Sequence, residues 1–444
     1  MKLTALVVWM ALAAFQQAQC SPRNSFPSRT IALDARLNCP SISSHGGTAY
    51  LHVSIATPDV GRTNRKPLNL SVVLDRSGSM AAEGKIDYAK RALLTLIDRL
   101  SSEDILSIVV YDDRIDLLRE AGPVRDKLAL KRLVESVYAR GSTNLGGGMI
   151  EGFRQVEHHA SKRYVNRVIL LSDGLANQGI TDPHELNRIA RRYRSRSIVL
   201  TTMGVGLEYN ENLMVGLAES GGGNYYFIES PTSLASIFRK EFNMMSSVVA
   251  QNAVLELKLG HGVRVNDVIG CEYRPDREAL VISVGDLYAD DRRELTVELQ
   301  IPPGSGSKTV ARGVLRYETS YPGLREEPSF TTRIHYTDDV VVIEKHRDME
   351  VQAKADIAVS TRKVERAMQA IDEGRVEEAA AELDQARQML MASPAASVAG
   401  AGSEELKQQA TRLESFQQLL RDSSDTRRAK KAIQYENYRM QKNQ

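Results

Sequence analysis

After its N-terminal segment the chain has no apolar run long enough to cross a bilayer, which excludes a later spanning helix. Aromatic residues are scarce, at 6% with one Trp, and no basic stretch is interleaved with them. Nucleic-acid recognition by basic, aromatic-rich surfaces therefore has little to build on. Lys and Arg number 58 against 56 Asp and Glu, so the formal charge of +2 argues neither for nor against a polyanionic partner. Catalytic patterns are missing too. No serine elbow or Cys–His nucleophile pattern appears. Gly146-Gly147-Gly148 lacks the Lys and Ser/Thr of a phosphate loop. His158-His159 has no partner at metal-ligand spacing, and a helix start at Asp182-Pro183-His184-Glu185 explains the other His–Glu pair. These absences point to a protein that is not an enzyme.

Cysteine is limited to Cys20, Cys39 and Cys271. Met1-Lys2 followed by the apolar stretch Leu3 to Phe15 reads as a secretory signal peptide over residues 1–20. Lipidation at Cys20 is disfavoured by Gln17 and Gln19. Removal of Cys20 with the signal leaves Cys39 and Cys271, a pair that would be either bridged in an oxidising compartment or two buried thiols. The expectation is an exported protein, periplasmic or secreted, with no spanning segment beyond the signal.

What the chain does have is a set of oxygen donors at strand ends. The apolar run Leu68 to Leu74 delivers Asp75-Arg76-Ser77-Gly78-Ser79. Gly141-Ser142-Thr143-Asn144 offers another hydroxyl in a glycine-flanked loop, and Leu170-Leu171-Ser172-Asp173-Gly174 places a second carboxylate after a second apolar strand. Oxygen-only donors suit a hard divalent cation such as Mg²⁺. In order, these pieces resemble the metal-ion-dependent adhesion site of von Willebrand factor type A domains, D-x-S-x-S followed by Thr and then Asp, over Pro67 to Ser246. The resemblance implies metal donors Asp75, Ser77, Ser79, Thr143 and Asp173. It also implies a Mg²⁺ ion, with Mn²⁺ or Ca²⁺ as alternatives, and a protein partner that completes the shell with an Asp or Glu. Met80-Ala81-Ala82-Glu83 offers a single further carboxylate, so one metal is expected.

Around this motif, unalternating apolar strands and amphipathic helices predict a doubly wound, mainly parallel α/β sheet of Rossmann-like type over residues 67–246. The flanks differ. Leu51, Val53 and Ile55 alternate with polar residues, as do Leu255–Leu259 and Leu295–Ile301, and turn signals separate such runs. The prediction is an antiparallel β-sandwich built from residues 21–66 and 247–342, with the α/β domain inserted between its halves. A Cys39–Cys271 bridge would tie those halves together. The arrangement resembles bacterial secreted relatives of calcium-activated chloride channel regulators. Residues 343–444 read as α-helical, with a flexible linker near 393–403 and a basic, solvated tail from Arg421. Two functions follow. The first is metal-dependent protein–protein interaction or adhesion. The second is a structural or assembly subunit of an envelope complex, or a regulator of a membrane protein, in which the metal only braces three loops.

Overall fold

A computed structural model of the chain describes residues 30–442, apart from 61–64, 277–278, 320, 322–323, 325 and 423–425. The expected signal peptide and Cys20 lie outside the described residues. In chain order the strands and helices are β1 (Ala32–Leu37), β2 (Ser41–Ile42), β3 (Gly47–Ala56), β4 (Leu68–Asp75), α1 (Lys85–Arg99), β5 (Ile105–Tyr111), β6 (Ile115–Pro123), α2 (Lys127–Glu135), α3 (Leu145–Glu157), β7 (Val165–Ser172), α4 (Pro183–Arg194), β8 (Val199–Val205), α5 (Glu211–Gly221), β9 (Gly222–Ile228) and α6 (Leu234–Ser246). There follow β10 (Val248–Leu259), β11 (Arg264–Ile269), β12 (Tyr273–Asp276), β13 (Ala279–Tyr288), β14 (Arg292–Ile301), β15 (Ser307–Glu318), β16 (Ser329–Tyr336), α7 (Val340–Lys345), α8 (Met349–Asp372), α9 (Val376–Met391), α10 (Ala401–Asp422) and α11 (Thr426–Gln441).

The central sheet runs β6-β5-β4-β7-β8-β9, parallel except for the edge strand β6. Strands β4, β5, β7 and β8 are buried at every residue, as sheets covered on both faces require. Leu70, Val72 and Leu74 face a core shared with α1, α2 and α6, while Val73 faces one shared with α3, α4 and α5. Two strands on opposite sides of β4, β5 and β7, make this the point where strand order reverses. Ligands of open α/β sheets bind beyond the strand ends at such a point.

The remaining strands form two sheets, β1-β3-β14-β11 and β12-β13-β10-β15-β16-β2. Their inner faces share one core that includes Leu51 and Val53 from β3, Val297 and Leu299 from β14, and Leu255 and Leu257 from β10. This is the expected sandwich, with the α/β unit between β3 and β10. The C-terminal helices have a core of their own, to which Leu383, Leu413 and Ile433 contribute.

One open alternative is decided, and two expectations are corrected. Cys39 and Cys271 are free thiols, the first buried against the Arg347 guanidinium 3.2 Å away, so no bridge ties the sandwich. The stretch expected as a flexible linker is a short turn: Ser393 caps the 3₁₀ helix Pro394–Ser397 and donates to Asp356, and α10 begins at Ala401. The basic tail is not a solvated helix. Lys430 and Lys431 of α11 are buried and paired with Glu211, and the Lys431 ammonium lies 4.1 Å from the Tyr209 ring centroid. Tyr435 and Tyr438 meet Tyr225 edge-on at 5.9 and 5.8 Å. Aromatic and paired-cation contacts of this kind let a charged helix dock.

Candidate metal centre

Asp75 is the last residue of β4 and has no solvent exposure. Its Oδ1 accepts the Ser77 backbone N–H at 2.8 Å, a local turn that folds the next residues back over the strand end. Its Oδ2 accepts the Ser172 hydroxyl at 2.7 Å and the Tyr111 phenol at 3.3 Å. Burial pushes the Asp75 carboxyl up to about 6, against hydrogen bonds from Ser77 and Ser172 that favour the charged form. Burial likewise raises the Tyr111 phenol well above its ordinary value.

The next donors follow in a chain. The Ser77 and Ser79 hydroxyls are 3.1 Å apart, and the Ser79 hydroxyl donates to Asp173 Oδ1 at 2.7 Å. The other Asp173 oxygen accepts from Lys85 Nζ at 2.8 Å. Thr143 reaches the same spot from a third loop: a Cβ added at Gly174 would lie 3.4 Å from Thr143 Oγ1 and 3.6 Å from Ser79 Oγ. Glycine at 174 therefore keeps open the space onto which both hydroxyls abut. The structure thus brings Asp75, Ser77, Ser79, Thr143 and Asp173 together. Two carboxylates and three hydroxyls are a donor set that fits a small divalent cation able to keep some of its water. Among the described residues no group of three or more His, Cys, Asp and Glu forms a competing metal site.

The loops are fastened by groups that the motif does not contain. Arg76, the variable residue of D-x-S-x-S, pairs with Asp112 at 2.9 Å and with Asp116. Arg140 holds Asp112 from the Thr143 loop at 2.8 Å. Main-chain bonds run from Arg140 N to Arg76 O and from Gly78 N to Gly141 O. Asn177, beyond Asp173, accepts the Thr143 N–H at 2.9 Å and donates its own N–H to Thr143 O. Ser172, Tyr111 and Lys85 were likewise outside the motif. The signal for Ser172 and Tyr111 was their place at strand ends beside Asp173 and Asp112. Leu175, two residues beyond Asp173, is 56% exposed.

Residues set aside in the sequence have these places in the fold. His184 supplies a backbone N–H to the Asp182 cap at the start of α4. Gly146 and Gly148 sit where α3 presses closely on its neighbours: a Cβ at Gly148 would lie 2.6 Å from the Tyr111 ring, and one at Gly146 2.7 Å from Ile180 O. Close packing explains that glycine run.

The von Willebrand factor type A domain model matches residues 69–240. Protein sll0103 of Synechocystis sp. is 30% identical over 289 residues, which cover 62% of this chain and 67% of that protein. The chain belongs to the von Willebrand factor type A family. Escherichia coli YfbK is 31% identical over 211 residues, 47% of this chain and 36% of that protein, so the chain spans about a third of this relative's length. The von Willebrand factor type A structure from Catenulispora acidiphila superposes with a TM-score of 0.71 at 16% identity, covering 94% of this chain and 97% of that one. Its likeness extends over the sandwich and C-terminal helices and is a likeness of fold. Domains of this family generally mediate protein–protein interaction and commonly bind a divalent metal. No helix among the described residues is long and apolar enough to cross a membrane.

Proposed function

We propose that this chain is an exported, non-enzymatic interaction protein whose metal face binds an Asp or Glu of a protein partner through a Mg²⁺ ion. The observation that carries this reading is the convergence of Asp75, Ser77, Ser79, Thr143 and Asp173 from three loops at the strand ends. The ion would supply a Lewis-acidic position for an incoming carboxylate. The chain's own part is to hold the hydroxyls and to keep both carboxylates buried and oriented. The groups bonded to those carboxylates, Ser172, Tyr111 and Lys85, are engaged in holding them rather than poised as a base. Leu175 would supply apolar contact beside the charged centre.

The test is affinity capture from an envelope extract of the native host in Mg²⁺ and in EDTA, with wild type and Asp75→Ala. Partners held in Mg²⁺, released by EDTA and lost by a folded Asp75→Ala support the reading. Partners retained in all conditions reject it. They would favour an assembly subunit instead, for which the short helix α7 supplies an exposed apolar surface at Val340 and Val341.

A further inference from the structure

Lys85 is the first residue of α1, and its side chain is only 8% exposed. A buried ammonium is costly unless paired, and the pairing here is specific. Its Nζ lies 2.8 Å from Asp173 Oδ2, while the Ser79 hydroxyl occupies Oδ1. Room for the ammonium is made on the far side by Gly206, in the turn after β8. A Cβ there would lie 3.3 Å from both Cε and Nζ of Lys85, and Gly206 has a φ of +74°. The fold therefore seats an ammonium against one of the two carboxylates that the metal reading relies on.

The charge count follows. With Lys85 set against Asp173, Asp75 is the one donor carboxylate left without a cationic partner. A divalent ion placed among these donors keeps a net positive charge, in a site where solvent screening is weak. An anion from outside is then needed to complete the neutralisation. Resting on the metal reading above, we infer that Lys85 is a positioning residue that couples the two ligands. It weakens metal binding alone and makes metal and carboxylate bind as a cooperative pair. The coupling is reciprocal, so a carboxylate ligand tightens the metal by the factor by which the metal tightens the carboxylate.

The experiment is Mn²⁺ titration of the full chain by calorimetry and electron paramagnetic resonance. It is run in chloride and in acetate at equal ionic strength, corrected for the affinity of acetate for free Mn²⁺. Wild type should bind Mn²⁺ several-fold more tightly in acetate. Lys85→Met should bind Mn²⁺ on the order of tenfold more tightly than wild type in chloride, with the acetate effect lost, and Lys85→Arg should restore it. A merely structural lysine would give the opposite sign, because its loss would loosen the site. A folded Lys85→Met with equal or weaker Mn²⁺ affinity overturns the inference. Should Lys85→Met not fold, wild type decides: no acetate effect overturns it. Mn²⁺ binding by wild type that Asp75→Ala abolishes, together with either negative result, leaves the metal reading standing. No Mn²⁺ binding by wild type removes both.

Discussion

Arg167 in β7 and Asp286 in β13 form an ion pair at 3.1 Å with both side chains almost wholly buried, joining the α/β unit to the sandwich. Removing one partner of such a pair leaves an uncompensated buried charge, at a cost of about 3–5 kcal/mol. Arg167→Met should therefore lower the denaturant midpoint sharply. Arg167→Met combined with Asp286→Leu should recover most of the loss. A double variant as unstable as the single one would show that the pair is not the relevant interaction.

Gly148 presses α3 against the Tyr111 ring, and the Tyr111 phenol donates to Asp75. Overpacking at such a contact costs about 1–3 kcal/mol. Gly148→Ala should destabilise by that amount and, on the proposed reading, also weaken metal binding, since the displaced ring carries a hydroxyl that holds Asp75. Gly152→Ala, which meets Val73 rather than Tyr111, should destabilise with a smaller effect on metal. Thermal melts and metal titrations on both variants separate the two effects.

Asp104 anchors the start of β4. Its Oδ1 accepts the Leu68 N–H and an Arg65 guanidinium N–H, both at 2.8 Å, and its Oδ2 accepts the Ser101 N–H at 2.6 Å. Burial alone would raise this carboxyl, but the Arg65, Leu68 and Ser101 bonds outweigh it and hold the carboxyl below its ordinary value. A depressed folded-state value stabilises the fold above the unfolded value, near 3.9, and that stability fades as pH falls through the folded one. Asp104→Asn should cost about 1–3 kcal/mol at pH 7. The gap from wild type should close as the pH is lowered below about 4, as read by denaturation across pH.

Leu175 follows Asp173 by two residues and stands exposed. On the proposed reading, Leu175→Ser should weaken partner capture several-fold while Mn²⁺ affinity and thermal stability stay at wild-type values. Loss of metal affinity in this variant would show that the side chain shapes the donor set instead.

Much of this architecture was legible because its signals are local. A strand buried on both faces, such as Leu68–Asp75, reads as an unbroken apolar run, and the polar residues at its end stand out. Half-exposed strands such as β3 and β14 announce themselves by alternation. Among the strands not read from the sequence (β1, β2, β11, β12 and β13), the register of β11 shifts between Val265 and Asp267, and β12 is exposed at all four residues. The misread tail has a different cause. Lys430 and Lys431 look solvated in sequence because Glu211, which pairs with both, is more than two hundred residues away along the chain, and Asp372, which also pairs with Lys430, is 58 away. Lys85 escaped for a similar reason, since Asp173, which fixes its role, is 88 positions away.

The α/β unit is held at both ends, by β3 of one sandwich sheet and β10 of the other. A load applied at the metal face would thus divide between two sheets rather than pass along a single tether. It would act as shear across the shared core of Leu51, Val53, Leu255 and Leu257. On the proposed reading, a partner held at that face would therefore pull on the whole sandwich rather than on one strand.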